Sequence, residues 1–273
     1  MNPGTPHSAL AIDALRDKRR GARLGHTVHY FSSIDSTNTV ARQLALVGAG
    51  DGTVVVAETQ TRGRGRLGRT WVSPPFRNLY LSVILRPPIP VTVAPQIGLM
   101  VGVAAAEAVS TWAAEAVIKW PNDVLISGRK VAGILTELEA QLDRVACVIA
   151  GVGVNLNSPA DDFPPELHDK AVSLCTASGA PVDRAAFADR LLSQLEQRYD
   201  LYLRDGFAAI RPLWERLSCL TGRHVQIDDG TRRLQGVVSG VADDGTLRLR
   251  DAQGLETPVV AGDVTVVNGY AER

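Results

Sequence analysis

Between Val117 and Asn155, three strand-like apolar runs follow one another with little but tight turns between them. Residues 117–126 lead through Ser127-Gly128-Arg129 into a run beginning at Lys130. After Gln141-Leu142-Asp143 a third run, residues 144–154, ends in Gly151-Val152-Gly153-Val154-Asn155. Turns this short leave successive strands antiparallel neighbours, so the block predicts a mixed, largely antiparallel sheet. Residues 53–57 and 78–86 add strands. In the second, Leu79, Leu81, Val83 and Leu85 alternate with Tyr80, Ser82 and Ile84, a pattern for burial on both faces.

Helices are expected beside this sheet. Residues 95–114 carry a proline in the first turn and a broad face of Ile97, Val101, Ala104, Ala105 and Ala108. Asp183 caps a helix reaching residue 205, with Phe187, Leu191, Leu195, Tyr199 and Tyr202 on one side. Gly206 stops it, and a further helix ends near Cys219. Nearer the start, a helix over residues 8–20 with Ser8 as N-cap is expected, and another over 39–47 with Val40, Leu44 and Val47 on one face. Ser36-Thr37-Asn38 precede the latter, either as caps alone or as part of a site at a positively polarised helix end. Beyond Arg223, the turns Asp228-Asp229-Gly230, Asp243-Asp244-Gly245 and Ala252-Gln253-Gly254 separate five short strands, enough for a small barrel. The chain therefore reads as α+β, with an N-terminal extension (1–25), a large helix-packed sheet unit (26–220) and a small β unit (221–273).

One loop carries an unusual charge. Residues 58–71, Glu-Thr-Gln-Thr-Arg-Gly-Arg-Gly-Arg-Leu-Gly-Arg-Thr-Trp, set Arg62, Arg64, Arg66 and Arg69 beside Gly63, Gly65 and Gly68, and no acidic residue follows until Glu107. Glycine allows close backbone approach, and guanidinium groups bind phosphate or carboxylate oxygens in pairs. An anionic ligand is expected there. The alternative, a flexible tract binding RNA, fits less well with a short segment between two strands. Net charge is zero, with 29 basic and 29 acidic residues, so bulk attraction to nucleic acid or an anionic membrane has no support. Cys147, Cys175 and Cys219 lack paired spacing and read as reduced packing residues of a cytoplasmic protein. There is neither a signal-peptide pattern nor an uninterrupted apolar run of membrane-spanning length.

Only Lys18, Lys119, Lys130 and Lys170 are lysines, and two of them fall close together. Lys119 and Asp123 bracket Trp120-Pro121-Asn122 at a strand end, with Lys130 across the hairpin. Each alone reads equally as a solvated charge. Together with the arginines they supply the parts for holding phosphate, Asp123 being a natural Mg²⁺ ligand. The histidines show no metal-binding spacing, and the P-loop, dinucleotide-fold and nucleophile-elbow motifs are absent.

The ordered set Ser36-Thr37-Asn38, Gln60 with the loop from Gly63 to Trp71, Asn78-Leu79-Tyr80-Leu81-Ser82, Lys119-Trp120-Pro121-Asn122-Asp123, Arg129-Lys130-Val131-Ala132-Gly133-Ile134-Leu135 and Gly151 to Asn155 closely resembles the biotin protein ligases. The likeness is close over residues 27–157 and looser beyond. It implies a class II synthetase-like catalytic domain with an SH3-like C-terminal barrel. It also implies a two-step reaction: biotin and Mg·ATP give biotinyl-5′-adenylate and pyrophosphate, and biotin then passes to a lysine of a biotin carboxyl carrier domain. On this resemblance Lys130 and Arg66 are catalytic. Ser36, Thr37, Asn38, Gln60, Gly63, Arg64, Tyr80, Lys130 and Gly133 bind biotin. Arg64, Arg66, Arg69, Trp71, Lys119, Asn122, Lys130 and Asn155 meet ATP or the adenylate, with Trp71 on the adenine, and Asp123 holds Mg²⁺ directly or through water. No N-terminal helix-turn-helix is recognised, so no DNA partner is expected; the state is monomer or homodimer. The rivals are a lipoate protein ligase and a non-catalytic biotin sensor.

Overall fold

The computed structural model describes residues 8–113, 115–267 and 269. Seven strands, β1 (Val28–Phe31), β2 (Val54–Ala57), β3 (Leu79–Leu85), β4 (Val117–Lys119), β5 (Asp123–Ile126), β6 (Arg129–Gln141) and β7 (Arg144–Val154), form one sheet in the order β1-β2-β3-β7-β6-β5-β4. Among these seven strands β1 and β2 pair in parallel and the other neighbours are antiparallel. The expected mixed, largely antiparallel sheet is present. The run 117–126, read as one strand, is two: Trp120-Pro121-Asn122 turns the chain so that Lys119 lies opposite Asp123.

Among the described residues six α-helices accompany the sheet: α1 (Ile12–Lys18), α2 (Thr37–Leu46), α3 (Pro95–Val109), α4 (Leu174–Ser178), α5 (Arg184–Asp205) and α6 (Phe207–Leu217). On one face α3 lies against β4–β7, with α5 and α6 packed on α3. Covered on both sides, α3 is buried nearly all round. Its glycines bring it close to the sheet, a Cβ on Gly98 falling 3.4 Å from Thr136 and one on Gly102 3.8 Å from Ile118. The helical stretch Val91–Val109 is long and apolar enough to cross a membrane by length and composition. Here those apolar residues line the core. The predicted helix ends at Val109, five residues early, and Ala114 lies outside the described residues.

The opposite sheet face carries α2. Its inward side is Thr37, Asn38, Ala41 and Ala45, whereas Val47, expected to face inward, is 82% exposed. The small alanines bring the helix close to Val55, Ile84, Cys147 and Ile149, and Val40 and Leu44 flank that contact. α5 matches expectation. Asp183 accepts from the amides of Ala185 and Ala186, a cap worth about 1 kcal/mol, and Phe187, Leu191, Leu195, Tyr199 and Tyr202 are all buried.

α1 begins at Ile12 rather than after Ser8, without a side-chain cap. Tertiary bonds claim the backbone a longer helix would need. The Leu10 amide donates to Glu58 Oε1 (2.6 Å), and the Ser8 carbonyl accepts from Arg184 (2.8 Å). Arg184 also donates to both oxygens of Glu58, which is 1% exposed.

Strands β8 (His224–Asp228), β9 (Arg233–Val241), β10 (Leu247–Arg250), β11 (Glu256–Val259) and β12 (Asp263–Val266) make a second, antiparallel sheet in the order β11-β10-β9-β8-β12. Val225, Ile227, Val238, Leu247, Leu249, Val264 and Val266 are buried, the alternation of a sheet with one face in the core. These are the five strands predicted beyond Arg223. Residues 268 and 270–273 lie outside the described set, as do residues 1–7 of the expected extension.

Candidate active site

On the α2 face, three glycines replace side chains where the sheet centre would otherwise be crowded. Gly133 and Gly153 pair across β6 and β7, and the Trp71 indole lies on both. A Cβ at Gly153 would fall 2.6 Å from Trp71, one at Gly133 2.8 Å from it, and one at Gly151 2.2 Å from the Asn38 side-chain oxygen. Only glycine permits these approaches. Lys130 leans over the same floor, its Nζ 5.2 Å from the Trp71 ring centre and 2.6 Å from Asp123 Oδ1. Lys130, read from the sequence as lying across the hairpin from that strand end, is paired there with Asp123.

Next to this floor lies the start of α2. The side chain of Ser36 makes no capping bond; instead the Thr37 amide donates to Gln60 Oε1 (2.9 Å), so a residue from the Arg/Gly segment caps the helix. Gln60 Nε2 donates to Ser73 (3.2 Å). The Ser82 hydroxyl lies 2.8 Å from Thr37 Oγ1 and 2.7 Å from Asn38 Oδ1, and Asn38 Nδ2 donates to the Leu135 carbonyl (3.1 Å) and Glu137 Oε2 (2.7 Å). Ser36, Thr37, Asn38, Gln60 and Gly133 are thus gathered in one place. Tyr80 sits on the same face, buried, its hydroxyl donating to the Pro74 carbonyl (3.0 Å); burial pushes its pKa well up.

The arginine loop is folded back on itself. Trp71 N donates to Gly63 O (2.9 Å) and Gly65 N to Arg69 O (2.7 Å), and at Gly63 a Cβ would meet the Trp71 carbonyl at 2.3 Å. Leu67, at the tip, takes positive φ (54°), uncommon for a residue with a bulky side chain. Arg64 pairs with both oxygens of Glu137 at 3.0 Å, and Arg69 pairs with Asp263 of β12. Arg66 differs. It is partly buried, and among the described residues no hydrogen bond or ion pair engages its guanidinium; burial lowers its pKa, against the opposing fields of Asp263 and Asp123. An unpaired, partly desolvated guanidinium is a seat for an anion.

Beneath this loop opens a cavity of about 660 Å³. Its wall includes residues 64–69, Trp120, Pro121, Asn122, residues 134–138 of β6, the start of α3, and Gly245 and Val260 from the loops of the second sheet. β5 begins with Asp123 opposite Gly133, and beyond Ile134 strand β6 pairs only with β7. The cavity occupies that unpaired edge. Its volume falls in the range of small-molecule sites.

Two predicted contacts are spent elsewhere. Asn155 is buried, its amide 3.4 Å from the carbonyls of Lys130 and Val172, and it braces the backbone behind Lys130. Asn122 lines the cavity, but its amide donates to Ile134 O (2.9 Å), clamping the turn to β6. Lys119 is partly exposed on β4, opposite Asp123. Sequence reading gave no site role to Ser82, which it quoted only within a strand pattern and a motif, and none to Glu137 or Asp263. The alternation of β3, which puts Ser82 on the face of Tyr80, was the available signal for the first.

A glycine floor, a lysine–carboxylate pair and an arginine-roofed cavity define a site for a small acid and a phosphate-bearing partner. The model of the biotin/lipoate A/B protein ligase family matches residues 30–155. Over 234 residues the chain is 41% identical to the bifunctional ligase/repressor BirA of Bacillus spizizenii, covering 85% of this chain and 72% of that protein. It is 34% identical over 259 residues to the biotin–[acetyl-CoA-carboxylase] ligase of Mycobacterium tuberculosis, covering 92% and 93%. The structure of biotin protein ligase from Aquifex aeolicus in complex with biotin and ATP is similar with a TM-score of 0.74 at 27% identity, covering 88% of this chain and 97% of that one. The chain belongs to the biotin/lipoate A/B protein ligase family.

Proposed function

We propose that this chain is an ATP-dependent biotin protein ligase. It forms biotinyl-5′-adenylate and then biotinylates a lysine of a biotin carboxyl carrier domain. The observation that carries the reading is the Lys130–Asp123 pair beside the Gly133–Gly153 floor, with the unpaired Arg66 and the cavity alongside. The relatives' names, which include biotin–[acetyl-CoA-carboxylase] ligase, support the acceptor class.

In the first step a biotin carboxylate oxygen attacks the α-phosphorus of ATP; the new O–P bond forms as the bond to the β-phosphate oxygen breaks and pyrophosphate leaves. Two anions must meet, so neutralisation and alignment are the main needs. Lys130 and Arg66 meet them, with Trp71 set to stack on the adenine and Thr37, Asn38 and Gln60 to hydrogen-bond the biotin ring. Mg²⁺ fits Asp123. Among the described residues no group of three or more potential ligands is placed to cage a metal, and Mg²⁺ is commonly held by one or two carboxylates with substrate phosphates and water. When bound, it supplies charge neutralisation at the phosphate oxygens. In the second step the carrier lysine amine attacks the acyl carbon and AMP departs. Until then the loop must exclude water.

We further infer a cytoplasmic protein, monomer or homodimer, with the second sheet as an SH3-like unit divided from the first near residue 221. The test is pyrophosphate release from Mg·ATP with biotin or lipoate, followed by acyl transfer to a purified carrier domain. Biotin-dependent release with carrier labelling is expected. Lipoate-dependent release would move the chain to the sister activity, and tight biotin binding without release would make it a sensor.

A further inference from the structure

Each end of the arginine loop is tied by a carboxylate to a different sheet. Arg64 is held by Glu137 on β6, which also accepts from Asn38, and Arg69 by Asp263 on β12. Between the ties stand the unpaired Arg66 and the positive-φ Leu67, whose side chain is 69% exposed. Asp263 has a further oddity: it lies directly opposite Asp228 in the β8–β12 register. Like charges facing each other across a strand pair are unfavourable. Asp228 is engaged by Arg233 (3.2 Å), and Arg69 supplies the matching cation for Asp263.

We propose that Glu137 and Asp263 are paired latches that hold the loop down over the reactive adenylate and set how long it is retained. Arg64 and Arg69 then serve the loop, and Arg66 is the loop cation left for the ligand. This inference rests on the ligase reading above. Both latches act on position rather than on the reacting atoms. Each is a partly exposed ion pair, so each shifts the closing equilibrium by about three- to fivefold, and the two together by about tenfold or more, since their carboxylates sit on different sheets.

The experiment uses the full chain with biotin and Mg·ATP and no acceptor. Wild type should release a burst of pyrophosphate and then turn over slowly, because retained adenylate blocks the site. In Glu137→Gln and Asp263→Asn the steady phase should rise about three- to fivefold each, and in the double variant about tenfold or more. Hydroxylamine in solution should trap correspondingly more biotin as hydroxamate, its nitrogen attacking the acyl carbon and displacing AMP. Asp263→Glu, which keeps the charge at the surface, should restore retention. Wild-type leakage should rise with salt toward that of the double variant, which should itself respond little. Unchanged leakage in both single variants, or Asp263→Glu leaking like Asp263→Asn, would overturn the latches while leaving the ligase intact. Absence of any biotin-dependent burst in wild type would instead remove the ligase reading and this inference with it.

Discussion

Replacing Arg184 by methionine tests how the N-terminal segment is fastened to the site. Arg184 donates at 2.8 and 3.1 Å to the two oxygens of Glu58, and the two side chains are 8% and 1% exposed. Methionine roughly fills the space but leaves a buried carboxylate whose remaining donors are the Leu10 amide (2.6 Å) and the Tyr30 hydroxyl (2.7 Å). Removing one partner of a buried pair costs about 3–5 kcal/mol, and for a chain of this size that lowers Tm by roughly 10 °C. The sign of the pH dependence is also set. Burial pushes the Glu58 carboxyl up, but Arg184, the Leu10 amide and Tyr30 more than offset it and hold its pKa below the ordinary value. In wild type, stability from Glu58 is therefore present above the unfolded carboxylate pKa and is lost as pH falls through the lower folded one. Without Arg184 the folded pKa rises above the unfolded value, so protonation relieves the variant. The stability gap between wild type and Arg184→Met should narrow from pH 8 to pH 5. Urea and thermal unfolding at both pH values measure it. A Tm change under about 2 °C at pH 8, or a gap that stays constant with pH, would refute the reasoning.

Three further outcomes are expected. Lys130→Ala should lower kcat for adenylate formation by about 10²–10³-fold while biotin still binds in a calorimetric titration; unchanged turnover would remove Lys130 from the chemistry. Gly153→Ala puts a methyl 2.6 Å from the Trp71 indole, which must lift by about 1 Å to reach ordinary contact, so KM for ATP should rise several-fold and KM for biotin less. Equal changes in both would argue against Trp71 as the adenine platform. Amides of residues 62–69 should exchange quickly in the free protein and slow on adding biotin and Mg·ATP, read by hydrogen–deuterium exchange; slow exchange throughout this segment without ligand would contradict a closing loop.

Much of the fold was legible because local signals were strong. The hairpins around β6 and β7, the fully buried β3, the Asp183 cap and the stripe on α5 each follow from spacing and turn chemistry. What failed did so where distant groups decided the outcome. α1 lost its first turn to Glu58 and Arg184, and α2 was capped by Gln60 rather than by its own serine. The orientation of α2 was misjudged because Ala41 and Ala45, weak signals in a hydrophobic pattern, are the residues that let it approach the sheet, while the more apolar Val47 points outward. Within the site, Lys130 pairs with Asp123, and Thr37, Asn38 and Gln60 gather at the start of α2. Glu137 and Asp263 could not be read from the sequence, because their roles depend on where the loop arginines land.

The floor of Gly133, Gly151 and Gly153 bears on attempts to change what acid the site accepts. Protein engineers usually widen a pocket by trimming the side chains beneath the substrate, and here there is nothing left to trim. Any added atom pushes directly on Trp71 or Asn38. Room for a longer or bulkier acyl chain must come from the roof and walls, where Gln60, Trp71 and the loop can be redrawn without touching the backbone below.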